Sequence, residues 1–139
     1  MKNSSLKDIQ IIDIPVIVDE EGRGKLSVIE KDIIPFKIER VYYLYDVPSD
    51  AYRGGHAHKE LIQLLIPLSG SFDVKLEDGR STEVVRLNKP NKGLLIPTGI
   101  WRELENFSAG AVCLVLASNE FNEADYIWDY DTFIDLKKS

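Results

Sequence analysis

The sequence predicts an all-β fold, a sandwich or barrel built from short strands. Stretches rich in β-branched and aromatic residues recur along the chain, and each is bounded by Gly, Pro, Asp or Asn. Roughly eight such strands in one small domain are typical of a sandwich or barrel. Asp78 and Gly79 also separate two alternating segments. Because Gly accepts the positive φ of a two-residue turn, this dipeptide predicts a hairpin.

The predicted elements follow one another without a break that would mark a second domain. We expect a single domain over residues 1–139, with residues 122–138 as a helical tail, and we find no internal repeat or linker. The predicted strands cover residues 9–18, 26–29, 36–47, 61–68, 72–76, 82–87, 93–97 and 112–117.

Composition excludes several classes of function. With 23 acidic and 17 basic residues the net charge is −6, which disfavours nucleic-acid binding. The longest apolar run, residues 111–117, is too short to span a bilayer, and residues 1–8 do not form a signal peptide, so we expect a soluble cytoplasmic protein. Cys113 lies within that run and is expected to pack in the core rather than act as a catalytic thiol.

The strand over residues 36–45 has an unusual inward face. A period of two places Arg40 and Tyr42 on the same face as the apolar residues Phe36, Ile38 and Leu44. A buried Arg is costly unless an anionic group meets it. Two interpretations stay open, an internal ion pair or a cavity lined by Arg and Tyr that receives an anionic ligand.

Both histidines of the chain, His56 and His58, lie in residues 53–59, where an extended segment puts them on one face. This pair, with Gln63 and Gly70 downstream, resembles the first motif of a cupin barrel. Residues 97–106 resemble the second cupin motif, with Arg102 where a metal-binding His is expected. The resemblance implies a cupin-type jelly roll with a short C-terminal helical tail, in which Gln63 and Arg102 replace two of four metal ligands.

The replacements point to acid–base chemistry. A guanidinium cannot ligate a cation and would repel one, so we expect no metal between these side chains. Histidine has a pKa near neutral pH. One histidine of the pair could take a proton from a carbon next to a ketone and return it to the neighbouring carbon without a cofactor.

Four segments together resemble the sugar 3,4-ketoisomerases, namely residues 23–26, 40–43, 53–59 and 123–133. The resemblance covers nearly the whole chain. It implies a cofactor-independent isomerase that converts dTDP-4-keto-6-deoxyglucose to the 3-keto sugar in deoxyamino-sugar biosynthesis. It also implies a homodimer that exchanges N-terminal strands.

The resemblance implies roles for particular side chains. His58 would be the base that moves the proton from C3 toward C4, and His56 would assist proton transfer at the oxygens, although the two could trade roles. Tyr42 would lie beside the pair, with Tyr43 as the alternative. The implied substrate-binding residues are Arg53, Arg40, Arg23, Arg102 and Trp101.

The resemblance implies a more specific role for Arg23, Arg102 and Trp101. Arg23 would complete a pyrophosphate clamp, and Arg102 would stabilise the enediolate oxygen without moving a proton. Trp101 would either stack on a ring or pack in the core. We expect the tail to pack against the barrel without contributing chemistry.

Two other classes of function stay open. A metal-dependent cupin enzyme would contain a transition metal, and a non-catalytic cupin would bind the nucleotide sugar without turnover. No spacing in the sequence encodes the stereochemistry at C4 of the product.

Overall fold

Two five-stranded antiparallel sheets form the body of the computed structural model, which describes residues 4–138. One sheet has the order β1-β9-β6-β11-β4 and the other the order β12-β5-β10-β7-β8, while β2 and β3 form a separate hairpin. The strands are β1 Gln10–Asp13, β2 Val16–Val18, β3 Lys25–Ser27, β4 Arg40–Leu44, β5 Tyr52–His58, β6 Gln63–Ser69, β7 Phe72–Glu77, β8 Thr82–Leu87, β9 Lys92–Ile96, β10 Trp101–Glu105, β11 Val112–Ala117 and β12 Tyr126–Ile127, followed by the helix α1 Tyr130–Lys138.

The main core lies between the two sheets. Alternate residues of β7, beginning with Phe72, point inward and are fully buried, and Phe72 stacks on Phe107 with ring centroids 5.2 Å apart. Cys113 of β11 has no exposed surface, and burial raises the pKa of its thiol to about 12. The prediction that Cys113 packs as a core residue is confirmed.

The hairpin predicted at Asp78 and Gly79 is present between β7 and β8. Strand pairing ends at Glu77 and Thr82, so the turn spans residues 78–81 rather than two residues. The Asp78 carboxylate accepts hydrogen bonds from the backbone N–H groups of Arg80 and Ser81 at 2.9 and 2.8 Å, while Gly79 adopts φ +93°. Side-chain capping of this kind makes Asp favourable at a turn.

Several predicted boundaries were wrong. Residues 9–18 form two strands, since Pro15 lacks the N–H that would continue the ladder. The strand predicted over residues 36–47 is confined to Arg40–Leu44. Strands β5 and β10 were not among the predicted strands, because β5 is rich in Gly and His and three of the five residues of β10 are charged.

The tail is only partly helical. Residues Glu123–Asp125 form a 3₁₀ turn, β12 pairs with β5, and the helix α1 begins at Tyr130. The Asp129 carboxylate caps this helix by accepting the backbone N–H of Thr132 at 3.0 Å. Phe133 of α1 is fully buried with Trp101, Ala57 and Ile127. The tail therefore covers the outer side of β5, the strand that carries both histidines.

The β2–β3 hairpin is largely exposed. Ile17, Val18 and Leu26 each leave more than half of their surface accessible, and Val16 is also exposed. Within residues 4–138, no helix is long and apolar enough to cross a membrane.

Candidate active site

A cavity of about 470 Å³ lies where β4, β5 and the tail meet. Its walls combine cationic, aromatic and imidazole side chains from all three segments. The lining residues are Arg40, Tyr42, Leu44, Tyr52, Arg53, His56, Tyr126 and Trp128. The inward face predicted for the strand at 40–44 is confirmed, since Arg40, Tyr42 and Leu44 are half-buried while Val41 and Tyr43 are exposed. Of the two neighbouring tyrosines, Tyr42 rather than Tyr43 therefore lines the cavity.

The two histidines lie side by side at the cavity. Their ring centroids are 4.8 Å apart in an edge-on arrangement, as expected for alternate residues of one strand. His56 lines the cavity, whereas His58 lies deeper and has no exposed surface. The ring of Tyr126 covers His58 at a centroid distance of 4.4 Å.

His58 is held by Asp125, a residue of the tail. Its Nδ1 lies 3.0 Å from the Asp125 Oδ2 atom, and that carboxylate also accepts the backbone N–H groups of Glu60 at 2.7 Å and Leu61 at 3.3 Å. A carboxylate can only accept, so Nδ1 carries the proton and Nε2 is an acceptor. The buried Nε2 has no hydrogen-bond partner among the described residues.

Burial is the main cause of a low pKa at His58. Desolvation, reinforced by the positive charges of Arg102 and Arg40, lowers the pKa of His58 far below its usual value. The hydrogen bond to Asp125 opposes this shift, since it stabilises the imidazolium. His58 is consequently neutral at pH 7, with a lone pair on Nε2 available to accept a proton.

Arg102 lies behind the cavity and is only 2% exposed. Its Nη1 donates to the Gln63 Oε1 atom at 2.7 Å, while Nε and Nη2 donate to the carbonyl of Ile100. Gln63 Nε2 in turn donates to the Tyr42 hydroxyl at 3.1 Å. Burial lowers the pKa of Arg102 to about 10, so the group stays cationic at neutral pH. Arg102 does not line the cavity itself, but it is linked through Gln63 to Tyr42, which does.

Arg40 and Arg53 supply positive charge to the cavity itself. The Arg40 guanidinium lies over the rings of Tyr42 at 4.5 Å and Phe121 at 5.2 Å. Its buried Nη1 atom has no hydrogen-bond partner among the described residues. Arg40 also forms no ion pair with any of these residues. This geometry favours an anionic ligand over the internal ion pair as the interpretation of Arg40.

The tail does more than pack against the barrel, because its side chains line the cavity and bond to His58. Besides Asp125, it brings Tyr126 and Trp128, whose rings stack with centroids 4.6 Å apart and planes inclined by 12°. Trp128 lies 5.4 Å from the His56 ring. The alternation of Tyr126, Ile127 and Trp128 was the available signal, because a period of two puts both rings on one face.

Two sequence-predicted residues lie away from the cavity. Trp101 is 4% exposed, packs on Phe133 and donates its indole N–H to Glu103, which supports the core interpretation. Arg23 lies in the loop of the β2–β3 hairpin, paired with Asp19 at 2.8 Å and with its side chain 72% exposed. Neither residue lines the cavity of its own chain.

Metal-ligating groups are sparse at this site. Across residues 4–138 no group of three or more His, Cys, Asp or Glu side chains is arranged to hold a metal ion. Gln63 and Arg102, which stand where a cupin metal site has its other two ligands, bond to each other instead.

Comparisons with known proteins agree with this architecture. Residues 7–138 match the family described as FdtA, WxcM-like, C-terminal. The TDP-4-oxo-6-deoxy-alpha-D-glucose-3,4-oxoisomerase of Aneurinibacillus thermoaerophilus is 42% identical over 125 residues, which cover 89% of this chain and 88% of that protein.

Two solved structures have nearly the same fold. A 3,4-ketoisomerase from Helicobacter canadensis is 47% identical with a TM-score of 0.91, over 95% of this chain and 98% of that one. The sugar 3,4-ketoisomerase QdtA from Thermoanaerobacterium thermosaccharolyticum, solved with TDP, is 42% identical with a TM-score of 0.91 over 96% of both chains. The cupin-type jelly-roll prediction is confirmed. The chain therefore belongs to the FdtA family, which is the family of sugar 3,4-ketoisomerases that the sequence motifs resemble.

Proposed function

We propose that this protein converts dTDP-4-keto-6-deoxyglucose to its 3-keto isomer by histidine acid–base chemistry, without a cofactor. The observation that carries the proposal is His58, a neutral imidazole whose Nδ1 is fixed by Asp125 and whose Nε2 is a buried acceptor. The relative QdtA supports the substrate, because a variant of it has been solved with TDP-4-keto-6-deoxyglucose.

The cavity suits a nucleotide sugar. Arg40 and Arg53 offer guanidinium groups to a diphosphate, which Arg binds with planar, charge-assisted hydrogen bonds. The stacked rings of Tyr126 and Trp128 form an apolar wall for the deoxysugar or the thymine base. An anionic ligand beside Arg40 also offsets one of the charges that lower the pKa of His58, and so makes the imidazole a better base once substrate is bound.

The reaction balances without an oxidant or reductant. His58 Nε2 takes the C3 proton, the C3–H electron pair forms the C3=C4 double bond, and the C4 carbonyl oxygen becomes an enediolate oxygen. After that oxygen gains a proton, the C3 hydroxyl loses one, C3=O forms, and the His58 imidazolium returns its proton to C4. His56, which lines the cavity, would move protons between the two oxygens.

We further propose a homodimer in which the β2–β3 hairpin packs on the partner chain. Burial of the exposed apolar residues Ile17, Val18 and Leu26 would stabilise such an assembly. Arg23, remote from its own cavity, would then bind the diphosphate in the partner's site. Mixing inactive Arg23→Ala and His58→Asn proteins tests this, because hybrid dimers regain activity only if each site uses Arg23 of one chain and His58 of the other.

We propose a cytoplasmic location, which a nucleotide-linked substrate supports. We also propose that this enzyme acts before an aminotransferase that consumes the 3-keto sugar. Cell fractionation with detection of this protein tests the location.

The activity is tested with EDTA-treated protein and dTDP-4-keto-6-deoxyglucose, with product followed by NMR. We expect a 3-keto sugar, and we expect His58→Asn to bind TDP normally while turnover falls by about 10²–10⁴-fold, the usual contribution of a positioned base. TDP binding without turnover by the wild type would instead indicate a non-catalytic binding protein, and activity lost in EDTA and restored by a metal would indicate a metal-dependent cupin.

A further inference from the structure

We infer that Gln63 is a positioning residue that sets the direction of the hydrogen bond at Tyr42, so that Tyr42 donates its own proton to the keto oxygen of the substrate. This inference rests on the proposed function and adds two things to it, the identity of the group that stabilises the enediolate oxygen and the reason for a buried arginine behind the site.

The first step concerns the Gln63 amide. A guanidinium has five donors and no acceptor, so the amide atom that faces Arg102 at 2.7 Å must be the oxygen. Arg102 is itself fixed by two bonds to the Ile100 carbonyl and is almost fully buried. The side chain of Gln63 is buried as well, at 2% exposure. Its orientation is therefore determined by chemistry, and flipping the amide would set a donor against a donor.

The second step concerns the Tyr42 hydroxyl. Once the Gln63 oxygen faces Arg102, its NH₂ group faces Tyr42 and donates to the phenolic oxygen at 3.1 Å. The Tyr42 proton is then directed to another acceptor, and Tyr42 lines the cavity. The Arg40 guanidinium over the ring at 4.5 Å helps to hold the side chain in place. Burial raises the pKa of Tyr42, which keeps the hydroxyl protonated at neutral pH.

The third step concerns the reaction. Negative charge develops on the C4 oxygen as His58 removes the C3 proton, and a fixed donor aimed at that oxygen lowers the barrier. Tyr42 has the required direction because Arg102 and Gln63 together impose it. Arg102 thus contributes a fixed polarity to the site without touching the substrate, in place of the direct contact that its position in the sequence suggested.

The test is a substitution that reverses the polarity while preserving the shape. In Gln63→Glu the carboxylate accepts from both Arg102 and the Tyr42 hydroxyl, which turns the Tyr42 proton away from the cavity. We expect kcat to fall by about 10²-fold or more, the usual cost of losing one such donor. We expect TDP affinity and thermal stability to stay near wild type, because the introduced carboxylate pairs with Arg102. All assays contain EDTA, because the introduced carboxylate restores a cupin metal ligand. Gln10→Glu, a substitution at an exposed site, is the control for the added charge.

A double-mutant comparison separates this role from a general structural one. Tyr42→Phe removes the donor directly, so Gln63→Glu should cause no further loss of kcat in the Tyr42→Phe protein. If Gln63→Glu does not fold, Gln63→Met is compared in the same two backgrounds with the same expectation. Losses that multiply, or wild-type kcat in Gln63→Glu, would overturn the inference. Such results leave the proposed function intact as long as the wild type isomerises the substrate, which is measured separately.

Discussion

Replacement of Asp125 by Asn exchanges one oxygen of the carboxylate for an NH₂ group. In the wild type one carboxylate oxygen accepts the Glu60 N–H at 2.7 Å, and the other accepts His58 Nδ1 at 3.0 Å and the Leu61 N–H at 3.3 Å. We expect the oxygen of the new amide to keep the shorter hydrogen bond, the one from the Glu60 N–H. The NH₂ group then faces His58 and donates to Nδ1, which moves the imidazole proton to Nε2 and removes the basic lone pair from that nitrogen.

The expected magnitude follows from this geometry. Reversing the tautomer of a catalytic histidine in this way costs about 10⁴-fold in the serine proteases, so we expect kcat to fall by about 10²–10⁴-fold. At about 1.4 kcal/mol per tenfold change, this raises the barrier by roughly 3–6 kcal/mol. Loss of a good acceptor for Leu61 should lower the free energy of unfolding by about 1–3 kcal/mol. Because domains typically have an unfolding free energy of about 5–15 kcal/mol, this loss leaves the protein mostly folded, and partial unfolding would not account for the catalytic loss.

The assay combines turnover with a direct view of the tautomer. Product formation from dTDP-4-keto-6-deoxyglucose gives kcat, calorimetry gives TDP affinity, and ¹⁵N NMR of the His58 ring shows which nitrogen is protonated. Glu123→Gln, an exposed change in the same 3₁₀ turn, is the matched control. A folded Asp125→Asn protein with kcat within threefold of wild type, or with Nδ1 of His58 still protonated, would refute the positioning role of Asp125.

Three further predictions concern charge and packing. Because His58 is held neutral in the folded state, the free energy of unfolding of the wild type should decline as pH falls below about 6.5. In denaturant melts, the decline between pH 7 and pH 5 should be about 2 kcal/mol smaller for His58→Asn than for the wild type. Equal declines in both proteins would exclude a depressed His58 pKa. Arg40→Ala should weaken TDP binding at least tenfold by calorimetry, whereas unchanged affinity would place the diphosphate elsewhere. Phe133→Ala should destabilise the fold by about 3–5 kcal/mol, and a loss below 1 kcal/mol would show that α1 does not stabilise β5.

Much of the fold was predictable because its strands follow simple patterns. β8 and β11 were predicted at their observed bounds, since β8 lies between the polar residues Ser81 and Asn88, and the apolar run of β11 ends before Ser118. The inward face of β4 was predictable from its period of two. β5 and β10 were less visible, because their side chains serve the cavity and the outer packing rather than a continuous apolar core.

The parts of the site that were missed depend on distant pairing. Asp125 reaches His58 only because β12 adds to the edge of β5, and no local pattern encodes a partner 67 residues away. Gln63 could be recognised as a replaced cupin ligand, but its bonds to Arg102 and Tyr42 require β4, β6 and β10 to be placed together. The near-complete burial of Arg102 was not predictable either, because sequence spacing gives the position on the strand and not the depth of the side chain.

Exchange of the substrate C3 proton tests histidine-driven isomerisation most directly. EDTA-treated wild-type protein, His58→Asn and His56→Asn would each be incubated with dTDP-4-keto-6-deoxyglucose in deuterium oxide, and the C3 signal followed by proton NMR. We expect the wild type to lose this signal and form the 3-keto sugar, and His58→Asn to retain the signal while still binding TDP. Wild-type exchange in His58→Asn would assign the base to another residue, and the absence of both exchange and product in the wild type would contradict isomerisation of this sugar.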